Sequence, residues 1–248
     1  MRRLLLPALL LALLLPPVAP LRAQGGPATA MSPQEVERIV KEYLLREPEV
    51  LYEALLELQR RRDAAEAERQ RQLLVEHRAA LVASPEDPVL GDPAGDVTLV
   101  EFMDYRCGYC RSMAPGLRAL LGNDRRVRLV IKEFPILGPD SVTAARAALA
   151  ANKQGRYAEL HWALLQARDL SEAAILDLAR KQGLDTERLA RDMRSAEVER
   201  IVERNRALAE ALGISGTPAF VIGDSLIPGA APVARLAELI AKARRSGG

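Results

Sequence analysis

Cysteine is nearly missing from this chain. Its 248 residues hold two, alongside two histidines and one tryptophan. A structural zinc site takes about four cysteine or histidine ligands, and His77 and His161 stand far apart with no ligand spacing. No metal or other cofactor is therefore expected. A c-type haem needs a histidine directly after a CxxC, and Arg111 stands there instead. Aromatic residues make up only 4%, so leucine, alanine and valine must fill the core. Neither sign of charge is in excess, the net charge being +2. No basic stripe is interleaved with aromatics, so nucleic acid is not an expected partner.

Long apolar runs are also scarce, and the clearest lies at the start. Residues 4–15 are apolar apart from Pro7, with Arg2 and Arg3 before them and Pro16, Pro17 and Pro20 after. The run is shorter than the ~20 residues a bilayer span needs. Ala23 offers a small residue for cleavage, which completes the layout of a secretory signal peptide. A cleaved signal at 1–23, a flexible linker at 24–31 and a periplasmic location are expected. Removing the signal takes away Arg2, Arg3 and Arg22 and no acid, so the mature chain is slightly acidic.

Residues 32–82 read as a small helical module. Ser32, Pro33 and Glu35 suit a capped helix start. Val36, Ile39, Val40 and Tyr43 follow at helical spacing, and Pro48 opens a second helix carrying Val50, Leu51, Leu55 and Leu58. Residues 59–72 contain no large apolar side chain and read as an exposed helix or a charged linker. Leu73, Leu74, Leu81 and Val82 then restore apolar character. The module's apolar face needs a partner, and the charged stretch would hold it away from the rest of the chain. A homo-oligomer formed through residues 32–82 is expected.

Residues 83–248 read as an α/β domain. Strands are predicted at 97–103, 127–134, 219–222 and 226–227, with helices at 112–121 and 232–244. A helical insertion at about 140–213 starts at a cap on Asp140 or Ser141, with further caps at Ser171, Asp185 and Ser195.

Outside the cytoplasm a disulfide can form and persist. A bridge between Cys107 and Cys110 would close too short a loop to restrict the unfolded chain much, so the pair reads as a reagent rather than a staple. Cys107 falls where a strand ends and a helix begins. The free N–H groups and dipole of that helix end favour negative charge on its sulfur. Cys110 lies within the first turn, shielded and close enough to attack a mixed disulfide formed at Cys107. Cys107 is then the attacking sulfur and Cys110 the resolving one. Glu101 interrupts an otherwise apolar strand. Buried, it would carry a raised pKa and could relay the Cys110 proton; on an edge strand it would merely face solvent. Asp104, Arg106 and Arg111 read as exposed charges near a helix end, and His161 and Trp162 as packing residues.

The segment from Phe102 to Cys110, read as FMDYRCGYC, resembles the active-site segment of DsbA-like thioredoxin-fold oxidoreductases. Gly216-Thr217-Pro218-Ala219-Phe220 resembles their cis-proline loop, and Lys132-Glu133-Phe134-Pro135-Ile136-Leu137-Gly138 their second strand and its exit. The resemblance covers roughly residues 90–245. With the helical module included, the chain is most similar to the suppressor-of-copper-sensitivity protein C branch. The resemblance implies a thioredoxin-like fold with a helical insertion and a redox-active Cys107–Cys110 disulfide. It implies a cis bond before Pro218 beside the CxxC, Thr217 pairing with an extended substrate, and an acid at Glu101. Gly108 and Tyr109 would also meet substrate. Implied partners are reduced or mis-oxidised exported proteins and a membrane redox partner. Strongly oxidising members carry Pro-His between the cysteines. Gly108-Tyr109 supplies no imidazolium, so a less oxidising protein is expected, and oligomerisation would favour an isomerase over an oxidase. Copper(I) capture by the same two thiolates and a holdase-like role with a vestigial CxxC remain as alternatives.

Overall fold

The computed structural model describes residues 31–246. The expected signal peptide, and all of the expected linker except Met31, lie outside the described residues. The chain divides into two compact units, one ending at Leu58 and the other beginning at Gln59.

The first unit holds α1 (Pro33–Arg46) and the start of α2 (Glu49–Glu76). Ser32 caps α1, its hydroxyl accepting the Glu35 N–H at 3.2 Å, and Pro33 occupies the first turn. No residue of α1 is buried. The apolar side chains that give these helices their periodicity, Val36, Ile39, Val40, Tyr43, Leu51 and Leu55 among them, stay exposed.

The second unit is built on a five-stranded sheet in the order β1-β3-β2-β4-β5. The strands are β1 (Val89–Gly91), β2 (Val97–Met103), β3 (Val127–Glu133), β4 (Ala219–Ile222) and β5 (Ser225–Pro228). β2 and β3 run parallel and every other pairing is antiparallel. Both central strands are buried along nearly their whole length, which explains their near-continuous apolar runs. Alternation divides their side chains between two cores. Leu99, Met103, Leu129 and Ile131 face one side, with α4 (Gly108–Asn123), α5 (Pro139–Asn152), α6 (Tyr157–Gln166), α7 (Glu172–Lys181), α8 (Thr186–Asp192) and α10 (Val233–Arg245). Val100, Phe102, Val130 and Val221 face the other, with the end of α9 (Ala196–Ala211).

The last helices before the sheet reach that second core. α2 is continuous through the charged stretch, and its last turns carry Leu74 into the sheet's second core. The short α3 (Arg78–Val82) carries Leu81 there too. The Arg128 guanidinium donates to the Val82 carbonyl at 2.8 Å and the Lys132 ammonium to the Ala80 carbonyl at 2.6 Å. Leu74 and Leu81 thus belong to the second core, where they cover the apolar sheet face together with the end of α9. Leu81→Ala is expected to destabilise the second unit by about 3 kcal/mol, the usual scale for truncating a fully buried leucine. The shift of the urea midpoint at constant m-value would measure it.

The insertion is helical as expected, and its caps at Ser171, Asp185 and Ser195 accept the N–H groups of Ala174, Arg188 and Val198. Its start differs. The cap of α5 is Gly138, with φ of 116°, and Pro139 opens the helix. Proline's fixed φ suits a first helical position, and only glycine takes the preceding backbone without strain. Asp140 and Ser141 therefore fall inside the helix.

Candidate active site

The CxxC lies at the carboxyl end of β2, where the chain leaves the sheet and turns into α4. Cys107 is the N-cap of that helix, and its Sγ accepts the Cys110 N–H at 3.4 Å. The sulfur thus takes the place usually held by a serine or aspartate oxygen. The same sulfur donates to the Thr217 carbonyl at 3.1 Å. The Thr217–Pro218 peptide is cis, and the Cys107–Thr217 contact sets the loop entering β4 against the Cys107 sulfur. Both cysteines are free thiols in this structure, 5% exposed at Cys107 and 1% at Cys110. Gly108 and Tyr109 lie on the outer side of the turn. A Cβ added at Gly108 would meet nothing, and Tyr109 is 68% exposed.

Burial, and then the nearby Glu101 carboxylate, push the Cys110 thiol well above its ordinary value. Glu101 itself sits mid-strand in β2, opposite Ile131 of β3 and Phe220 of β4. The edge-strand alternative therefore falls: Glu101 is 3% exposed, and burial pushes its carboxyl up to about 8. It points to the side of the sheet that carries both cysteines, in register with Leu99 and Met103.

Several neighbours differ from their expected character. Asp104 is buried rather than exposed. Its carboxylate accepts the backbone N–H groups of Arg106, Ile136 and Leu137 at 2.7–3.0 Å, tying the approach to the CxxC onto the loop after β3. Arg106 and Arg111 donate to the Leu137 and Ala167 carbonyls. His161 packs as expected, stacked on Tyr157 and edge-on to Trp162, but it also belongs to a buried polar cluster that sequence reading missed. The Tyr105 and Tyr157 hydroxyls both donate to Glu133 Oε1, at 2.9 and 2.7 Å, and His161 Nδ1 lies 2.9 and 3.2 Å from the two hydroxyls. Burial pushes Glu133 up to about 8 and His161 down to about 3. The available signal was the lone acid at the end of an apolar strand, the same signal that marked Glu101.

On the opposite side of the sheet, Lys132 is fully buried against Asp87, which Arg204 also contacts. Burial outweighs the pairing, so Asp87 is raised and Lys132 lowered from their ordinary values.

Residues 34–65 match the copper resistance protein ScsC N-terminal domain. A thioredoxin-like oxidoreductase from Silicibacter pomeroyi DSS-3 is 47% identical and superposes with a TM-score of 0.66, over 68% of this chain and 98% of that one. BcfH from Salmonella enterica Typhimurium is 32% identical with a TM-score of 0.71, over 86% of this chain and 96% of that one. The Na(+)/H(+) antiporter NhaA 3 of Salinispora tropica is 33% identical over 139 residues, which is 55% of this chain and 21% of the antiporter. The chain thus spans about a fifth to a quarter of the length of the first curated relatives it matches. The sheet, the helical insertion and the helices before the sheet make a thioredoxin-like fold preceded by a helical module. Residues 98–241 match the DSBA-like thioredoxin domain, and the chain belongs to that family.

Proposed function

We propose that the protein catalyses thiol–disulfide exchange on exported proteins in the periplasm, as a disulfide oxidoreductase working in the isomerase direction. One observation carries the reading. Cys107 caps α4 while its sulfur touches the carbonyl of Thr217, the residue before the cis proline. Cys107 attacks a substrate disulfide, and Cys110 resolves the mixed disulfide or is displaced as the leaving thiol. Glu101 exchanges the Cys110 proton from within the core. Pro218 lacks an N–H and walls the substrate side, Thr217 offers backbone to an extended chain, and Gly108 with Tyr109 presents an open, partly aromatic surface. A membrane redox partner recycles the pair.

The isomerase direction is supported by the Gly108-Tyr109 pair and by the first unit. The exposed apolar side chains of α1 and early α2 suit a homo-oligomer that places several sites around one substrate. Refolding of a scrambled disulfide protein is the test. The full chain is expected to restore activity to the scrambled protein. Deletion of residues 24–58 is expected to abolish that recovery and yield a monomer while simple dithiol oxidation persists. A monomeric full chain, or unchanged isomerisation by the deletion, would sink the isomerase reading. The deletion stops at the unit boundary because removing residues 73–82 would strip the sheet's second core.

A second reading is favoured by the match of residues 34–65 to a copper resistance protein domain: the Cys107 and Cys110 thiolates hold copper(I), a soft ion suited to sulfur. Anaerobic titration separates the two, since tight one-to-one copper binding with no refolding activity would replace the enzyme.

A further inference from the structure

We infer that Glu133 is a positioning residue that sets the charge of Glu101, and through it the lifetime of the mixed disulfide formed at Cys107. The inference rests on the exchange reading above and adds a residue to it.

The parallel register places Glu101 beside Ile131 and Glu133 beside Met103. The two acids are therefore diagonal neighbours on one face of the sheet, the face that carries both cysteines. Lys132, between Ile131 and Glu133 in sequence, faces the other way and is occupied by Asp87. The groups turned toward Glu133 are Tyr105 and Asp104 from the exit of β2, Glu101 from β2, and Tyr157 and His161 from α6. Asn205 of α9 is neutral and donates to the Glu133 backbone carbonyl at 3.2 Å. None of these brings a positive charge, since burial keeps His161 neutral. Two buried carboxyls of like charge with no cation cannot both ionise readily, so they titrate as one unit in two steps.

Hydrogen bonding decides which acid ionises first. Glu133 Oε1 accepts from two tyrosine hydroxyls, and bonds to the charged form favour it. No hydrogen bond to the Glu101 carboxyl is formed among the described residues. With both tyrosine protons committed to Glu133, a neutral His161 must carry its own proton on Nδ1 to bond the hydroxyl oxygens. The first negative charge thus settles on Glu133, and it holds the proton on Glu101.

A protonated Glu101 acts in both directions. When a substrate thiolate attacks Cys107 of the oxidised pair, the Cys107–Cys110 bond breaks and Cys110 leaves with its electron pair. Glu101 supplies the proton it needs. In the reverse step the Cys110 thiol must lose a proton before its sulfur bonds Cys107 and expels the substrate sulfur, which takes a proton from solvent. A Glu101 that is already protonated cannot accept that proton. Formation of the mixed disulfide is eased and its resolution slowed, which gives an isomerase time to rearrange its substrate.

The test uses the full chain glutathionylated at Cys107, with release of glutathione followed from mildly acid to alkaline pH. Release is expected to rise through one midpoint set by Glu101. Glu133→Gln is expected to lower that midpoint by about one pH unit, the least that defines coupled sites, making release about tenfold faster near pH 6, well below both midpoints, and less than about twofold faster at pH 8. Tyr157→Phe is expected to move it the same way by a smaller amount, Glu133→Asp to restore it, and Glu101→Gln to remove the step. A midpoint unmoved in a cooperatively folding Glu133→Gln protein overturns the inference. Should that variant not fold, an unmoved midpoint in Tyr157→Phe overturns it. Active refolding of scrambled protein with an unmoved midpoint sinks this inference alone. A moved midpoint without protein refolding sinks the exchange reading and leaves the coupling in place.

Discussion

Replacing Cys107 by serine is expected to abolish exchange outright, while replacing Cys110 by serine leaves the chain covalently tied to its substrates. The two thiols sit three residues apart but in different surroundings. Cys107 is at the mouth of the turn, its sulfur bonded by the Cys110 N–H and placed against Thr217. Cys110 points into the core with Met113 and Leu117, its thiol raised by burial and by Glu101. A sulfur must be a thiolate to attack, and it must reach the substrate. Cys110 meets neither condition until a disulfide has formed beside it. Cys107→Ser therefore removes the only competent nucleophile, and turnover falls to the level of buffer. In Cys110→Ser the first attack still occurs, but nothing resolves it. Mixed disulfides should then accumulate as bands on non-reducing gels that disappear with reductant. Substrate captured by Cys107→Ser instead would reverse the assignment.

Cys107, Cys110 and Glu101 stand out in the sequence because each breaks a local pattern, a thiol pair at a strand-to-helix junction and an acid in an apolar strand, whereas Pro218 stands out only through the resemblance of its loop to a cis-proline loop. The central strands were equally plain, since burial on both faces leaves continuous apolar runs. Three features were not readable, each for the same reason. Asp104 looks like a solvated charge until the loop after β3 folds back to give it two N–H donors. His161 and Tyr157 show helical periodicity, and only the approach of α6 to the end of β3 turns them into partners of Glu133. Leu74 at the end of the long α2 and Leu81 just after it follow a charged, exposed stretch, and nothing local reveals that they help to close the far face of the sheet. Local pattern reports what a residue is built to do in its own element. A contact between residues that are distant in sequence exists only once the whole topology is in place.

The protein is expected to lose stability as the pH rises from about 5 to 8, opposite to the behaviour of a chain held by ion-paired carboxylates. Glu101 and Glu133 titrate near 8 in the folded chain against an ordinary value of 4.5. Between those limits the folded state keeps protons that the unfolded chain has released. Stability therefore falls with rising pH, by at most about 1.4 kcal/mol per pH unit for each acid. His161 acts in the other direction. It titrates near 3 when folded against 6.5 ordinarily, so stability falls as the pH drops between those limits. From 4.5 to 6.5 the histidine offsets one of the two acids, and above 6.5 both act unopposed. These three groups place the optimum near pH 4.5 and the steepest loss between 6.5 and 8. Urea midpoints at pH 5, 6.5 and 8 would measure it, and a stability that is flat or rising over that range would refute it. Burial is the first cause of both raised values, so a carboxyl left without its neighbour keeps most of its shift. Glu101→Gln and Glu133→Gln should therefore each remove about half of the alkaline slope. The double variant should remove nearly all of it.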